Sequence, residues 1–222
     1  MQKYTKSRLV AGWGINDEED YTNGFTMVDG KAVRWECEYY SRWKNVVIRC
    51  YSEGSLKVSP TYLDVNVCDQ WKYFTTFKGW MKKEKHYTGL QLDKDILVPG
   101  SKVYSPETCT FVPQYLNKLL LTRDGQRGEY PLGVSIKSHD PQRERRFQSG
   151  VVVEGKRKGL GVYADYMNAH RAWQVAKADV IEQAILKYML EPCYRQDVAN
   201  AIYLRAEMLR DDHENHRETF SL

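Results

Sequence analysis

Asp93, Lys94 and Asp95 stand in a row, with His86 shortly before them and Asn117 further on, and these side chains carry the most chemistry in the chain. A lysine between two acids is either a paired surface charge or a cation that binds a phosphate and stabilises charge as a bond breaks. Flanking carboxylates hold such an ammonium in its charged form, which favours phosphate binding over proton abstraction. His86, in a Lys-Glu-Lys-His turn, reads as a solvated side chain, the alternative being a base displaced from Asp93. Five cysteines at 37, 50, 68, 109 and 193 give an odd count with no CxxC pair. That spacing weighs against a zinc site from Cys50, Cys68 and Cys109 and favours small buried hydrophobes.

The elements that must hold these groups are legible around them. Leu90 to Asp93 alternates apolar and polar, Val98-Pro-Gly-Ser is turn chemistry, and Cys109 to Val112 is a second short apolar run. Pro113 opens a helix with Leu116, Leu119 and Leu120 on one face. In the order strand, loop, strand, helix, the Asp93 carboxylate and the Asn117 carboxamide face one small space.

Upstream, Phe25 to Val28 and Ala32 to Trp35 flank Asp29-Gly30 and predict a hairpin. Tyr39, Trp43, Val46, Val47 and Cys50 recur as one helical stripe. Val65 and Val67 form a short strand, and Trp71, Phe74, Phe77, Trp80 and Met81 make a second stripe, read as core rather than as base-stacking rings.

Leu-Asp93-Lys94-Asp95 before a turn and Tyr104-Ser-Pro-Glu-Thr108-Cys109-Thr-Phe-Val after it resemble the HNH nucleases, in particular the small phage-encoded homing-type endonucleases. Trp43 with Arg49-Cys50-Tyr51, Pro60-Thr-Tyr and Val65-Asn-Val-Cys68 continue that resemblance. It implies a strand-strand-helix finger holding one divalent metal, with Asp93 and Asn117 as the ligands. Lys94 stands where the family carries its general base, and Thr108 where Asn is usual. Mg²⁺ suits such oxygen donors, keeps several waters and takes substrate phosphate as a further ligand. It would serve phosphodiester hydrolysis as a Lewis acid, with Lys94 or Arg123 on the scissile phosphate.

At 222 residues, with a formal charge of +4, 16 Tyr and 6 Trp, the chain has length for one large or two small domains and an aromatic core without disulfide staples. Neither a signal peptide nor an apolar run near 18 residues occurs, which predicts no membrane contact and a cytoplasmic protein, in the host cytoplasm if the chain is phage-encoded. The charge is too mild to imply nucleic acid by itself, so its distribution decides.

After the glycine-punctuated segment Arg123 to Gly128 the rhythm changes. Tyr130 to Ile136, Arg145 to Val153 and Gly159 to Tyr163 read as three strands, with a turn at Glu154-Gly155. A helix follows from about Asp165 to Leu190, with Ala169, Ala172, Trp173, Ala176, Val180 and Ala184 as its packing stripe. Another helix spans Asp197 to Arg210, and the tail with His213 and His216 reads as a frayed, solvated end. Three strands and an Ala-rich helix, with Tyr-Pro-Leu-Gly-Val and Leu-Gly-Val-Tyr, resemble the DNA-binding domain of plant ethylene-response factors, the APETALA-two type. The resemblance covers about residues 130 to 188 and implies that a sheet face enters the major groove of double-stranded DNA. Lys137, Arg143, Arg145, Arg146, Lys156, Arg157 and Lys158 all fall on the strands and turns, as that mode requires.

The expectation is therefore an α+β chain: an N-terminal arm at 1–30, an HNH-like domain at 31–123, an APETALA-two-like domain at 130–190 and a C-terminal helix and tail at 193–222. Its leading function is a phage-type DNA endonuclease. The alternative is a decayed nuclease acting as a DNA-binding regulator or as an inhibitor of a host protein. Ile185, Leu186, Leu190 and the last helix could pair two copies as a homodimer.

Overall fold

The computed structural model describes residues 9–84, 86–121, 129–140, 142 and 144–222. The chain is mixed α and β with small sheets, and it divides into two compact units, Met1–Phe111 and Val112–Leu222. That division falls inside the stretch read as one finger. No helix among the described residues is long and apolar enough to cross a membrane.

The first unit opens with β1 (Leu9–Val10) and β2 (Gly14–Ile15), paired antiparallel, then β3 (Asn23–Val28) and β4 (Lys31–Glu36), a hairpin. Asp29 and Gly30 both take positive φ, 50° and 75°, as the two-residue turn matching the strand twist demands. Next come α1 (Glu38–Tyr51) and α2 (Glu53–Val58), followed by β5 (Asn66–Val67) and α3 (Phe74–Met81). The last elements are β6 (Gln91–Asp93), β7 (Val103–Tyr104) and β8 (Thr110–Val112). β5 pairs with β7 in parallel, and β6 lies beside β8.

Two helical stripes build the core of this unit. Trp43, Val46, Val47 and Cys50 of α1 are buried as their spacing predicts, with Tyr40 rather than Tyr39 as the innermost tyrosine. Phe74, Phe77 and Met81 of α3 and Trp71 before it have no exposed surface, which makes the second stripe core. Trp43 meets Tyr40 and Phe74, and Trp71 meets Phe77 and Trp80, at ring-centroid distances of 4.6 to 5.7 Å. Burying each such ring contributes roughly 2–3 kcal/mol. Residues 9–16 belong to the same core: Val10 is buried and Trp13 stacks on Tyr51.

The second unit begins with α4 (Gln114–Leu119), then β9 (Val134–Ile136), β10 (Phe147–Val153) and β11 (Lys156–Tyr163), an antiparallel sheet ordered β11-β10-β9. Glu154 and Gly155 turn the β10–β11 hairpin with φ of 48° and 79°. Helices α5 (Tyr166–Tyr188) and α6 (Gln196–Glu214) complete the unit, and α5 packs on the sheet and on α6. Asp165 caps α5 by accepting from Asn168 N–H at 2.9 Å.

Two expectations for this half are corrected. The face of α5 that is buried centres on Ala169, His170, Trp173, Gln174, Lys177, Ala178 and Ile181, not on the alanine stripe through Ala172, Ala176 and Ala184. Contact with the sheet on one side and α6 on the other rotates the buried face and takes polar side chains in with it. The tail is docked, not frayed. Thr219 is 2% exposed, and its N–H donates to His170 Nε2 at 3.0 Å while its hydroxyl donates to Asp212 at 2.7 Å. Gln174 Nε2 donates to Arg217 O at 2.9 Å and to Thr219 Oγ1 at 3.0 Å. Because Nε2 accepts, His170 carries its proton on Nδ1, which lies 2.8 Å from Leu132 O and donates to it.

Lys177 is a second polar group within this helix face. It is 8% exposed, donates to Leu119 O, and its burial lowers its pKa from 10.5 to about 8. A base whose folded pKa lies below its unfolded one costs stability at all pH values below about 8, and that cost vanishes as pH rises to 10.5. Lys177→Met should therefore be more stable than wild type at pH 7 by about 1–3 kcal/mol, the gain from desolvation being offset by the lost hydrogen bond. Urea titrations should show the difference shrinking between pH 8 and 10.5; a gap independent of pH would exclude a charged, desolvated Lys177.

Candidate nucleic-acid interface

The sheet of the second unit sorts its side chains by the pleat. Phe147, Ser149 and Val151 of β10 are buried, on the side that α5 covers. Gln148 and Val152 alternate with them and face away, so their register partners do too: Ser135 across from Gln148 on β9, and Val162 and Arg157 on β11. Arg146 stands one residue before β10, at the edge of this face, beside Lys137, whose N–H donates to Arg146 O at 2.8 Å.

This outer face carries Lys137 and Arg157 with Ser135 and Gln148, Arg146 stands at its edge, and none of its strand residues is acidic. Arg157 Nη2 donates to Ser135 Oγ at 3.1 Å, which holds the guanidinium across β10. A Cβ on Gly150 would stand 2.8 Å from Arg157 Nε, so the missing side chain makes the bed in which the arginine lies. The register shift between Ser149 and Gly150 leaves Leu160 as an extra residue in β11 and tightens the local twist. Arg146 packs its guanidinium 5.6 Å from the Phe147 ring centroid.

The pleat parts the remaining basic residues from these three. Lys156 and Lys158 pair with Val153 and Val151, and so belong to the opposite face at the exposed hairpin end. Arg145 is exposed just ahead of β10. Arg143 and Arg123 lie outside the described residues. Ser135 and Gln148 were not singled out from the sequence; strand alternation around the basic residues is the signal that finds them.

In the first unit, Asp93 ends β6 and ties the next turn: its Oδ1 accepts from the N–H groups of Asp95 and Ile96, each at 2.8 Å. Burial pushes its carboxyl pKa up, against the lowering effect of those two bonds. Lys94 is 7% exposed and points into its own loop, donating to Ser101 O at 2.5 Å and Asp95 Oδ1 at 2.7 Å, with Tyr104 beneath it at 5.8 Å. The ammonium therefore closes the 93–101 loop. Thr108 does the same for the next turn, donating from Oγ1 to Val103 O at 2.7 Å and accepting from Ser105 N–H at 3.1 Å.

Asn117 lies on α4, in the second unit, and His86 is exposed. Burial pushes the thiols of Cys50 and Cys109 up, to about 11 and about 12, and raises that of Cys68. Among the described residues no three His, Cys, Asp or Glu side chains converge as a metal site. For a divalent ion the loop offers the carboxylates of Asp93, whose Oδ1 already accepts two backbone N–H groups, and of the exposed Asp95, whose Oδ1 accepts from Lys94. Mg²⁺ is commonly held by one or two carboxylates completed by waters and a substrate phosphate.

No protein-family model, no curated protein and no solved structure shows a detectable match to the chain.

Proposed function

We propose that the chain binds double-stranded DNA through the outer face of the β9–β11 sheet. The observation that carries this reading is the acid-free face on which Lys137 and Arg157 stand with Ser135 and Gln148, with Arg146 at its edge. Cations spaced along a ribbon meet phosphates or guanine edges, and a carboxamide between them is suited to an adenine edge. The sequence resemblance to ethylene-response-factor domains supports the same use of a three-stranded sheet.

The experiment is a fluorescence-anisotropy titration on duplex DNA over a range of salt. Each lost phosphate contact removes about 0.9 from the slope of log K against log salt. Lys137→Ala/Arg146→Ala/Arg157→Ala is expected to lower that slope by about 2–3 and to weaken binding by tenfold or more at moderate salt. Lys156→Ala/Lys158→Ala, on the other face, should weaken it less. Equal effects from the two sets, or none from the first, would overturn the assignment.

A second reading adds DNA cleavage, as the HNH resemblance implies, with Asp93 holding Mg²⁺. The observation in its favour is the half-buried Asp93 carboxylate at the end of β6. A bound Mg²⁺ would supply Lewis-acid activation of the phosphodiester. Lys94 would act as a positioning residue for the loop. A supercoiled-plasmid assay decides this reading, with Asp93→Asn as its control. Asparagine keeps the Oδ1 acceptor and therefore the turn, so its fold should match wild type while metal-dependent nicking disappears. Nicking that survives this change would remove Asp93 from the reaction, and binding without nicking in Mg²⁺ or Mn²⁺ would leave the DNA-binding reading alone.

A further inference from the structure

The β3–β4 hairpin breaks the rule that apolar side chains find cover. Phe25 is 58% exposed, Met27 67%, Val28 49%, Val33 44% and Trp35 38%, and among the described residues the sheet has two strands. A two-stranded ribbon is marginal in water without a third strand or a packed face.

We propose that β3 is a self-association edge, at which a second copy of this chain adds its own β3 antiparallel about a two-fold axis. The two edges of the ribbon differ in charge. β4 carries Lys31, Arg34 and Glu36, the kind of edge that resists pairing. The six residues of β3, Asn-Gly-Phe-Thr-Met-Val, carry none. Two-fold pairing sets like against like, so an uncharged edge is the one on which a copy of itself meets no repulsion.

The backbone supports the same edge. Val28 and Lys31 flank the turn as a hydrogen-bonded pair, so alternation along the ladder directs the N–H and C=O groups of Asn23, Phe25 and Met27 outward. A register centred on Phe25 sets the two Phe25 rings together and each Asn23 opposite a Met27. The product is a four-stranded sheet in which the rings and thioethers of both copies pack side by side. DNA is a poorer occupant, because Asp29 at the tip and Glu36 at the base offset Lys31 and Arg34.

Sedimentation equilibrium on the full chain across the micromolar range tests the proposal. The expected result is a mass that rises with concentration from one chain to two. Phe25→Lys/Met27→Lys should stay at one chain with unchanged circular dichroism. Ala32→Lys should still dimerise, since it shares the face of Phe25 and Met27 but sits one strand from the edge. Hydrogen exchange gives an independent readout: the amides of Asn23, Phe25 and Met27 should gain protection only where the dimer forms. A wild-type chain that stays monomeric, dimerisation that survives the β3 charges, loss of the dimer in Ala32→Lys, or a dimer with those amides unprotected would each overturn it.

Discussion

Gly133→Ala is expected to destabilise the second unit severely. Gly133 is the third residue of a tight turn in which Val134 N–H donates to Pro131 O at 3.1 Å, and its φ is +79°. Only glycine takes that conformation without strain. Added to that, a Cβ would stand 2.0 Å from Cγ of Trp173 and 2.6 Å from its Cβ, and the ring cannot retreat because it is 7% exposed and stacked against His170. Strain of roughly 1–3 kcal/mol and overpacking of similar size sum to about 2–6 kcal/mol, a large part of a domain's 5–15 kcal/mol stability. Hydrogen exchange should show loss of protection through β9, β10 and α5, and sheet-dependent DNA binding should be lost with it. An alanine variant with native protection in α5 would mean that the turn and Trp173 are placed otherwise.

Trp43→Ala should have the largest effect on the first unit. The indole is wholly buried between α1 and α3, and its Nε1 donates to Trp71 O at 2.7 Å. It also carries the β1–β2 hairpin, since a Cβ on Gly14 would stand 2.8 Å from Trp43 Cζ2. Truncation leaves a cavity that the rings of Tyr40, Phe74 and Trp71 cannot close, and it orphans a buried carbonyl. The expected loss is about 3–5 kcal/mol for the cavity, with about 1 kcal/mol more for the hydrogen bond. Trp43→Phe should recover part of the packing term and none of the hydrogen bond. Urea denaturation followed by near-UV circular dichroism reads both values; a loss near 1 kcal/mol for alanine would show that the site collapses around the gap.

The order of elements was legible in the sequence because local chemistry sets it. Asp29-Gly30 and Glu154-Gly155 permit the positive φ of tight hairpins, the stripes on α1 and α3 keep helical spacing, and Pro113 can stand at a helix start but not in its interior. The candidate interface was legible in part. Basic residues on the strands between 130 and 163 were visible, whereas their partition between two faces depends on the register of β10 against its neighbours and on the bulge at Ser149/Gly150. Register is a long-range property, and a shift of one residue exchanges the faces.

The role of Lys94 shows the same limit from the other side. Its neighbours Asp93 and Asp95 are in the sequence, but its burial against Ser101 O is made by a loop that returns from Gly100. The docked tail is a further case, because His170 and Gln174 offer their hydrogen bonds to Arg217 and Thr219 across most of the second unit. The sequence by itself determined where helices, hairpins and cores begin, since those follow from spacing and from the conformational limits of single residues. Only the tertiary structure decided which charges share a face and which polar groups are consumed inside the fold, because each of those outcomes depends on partners distant along the chain.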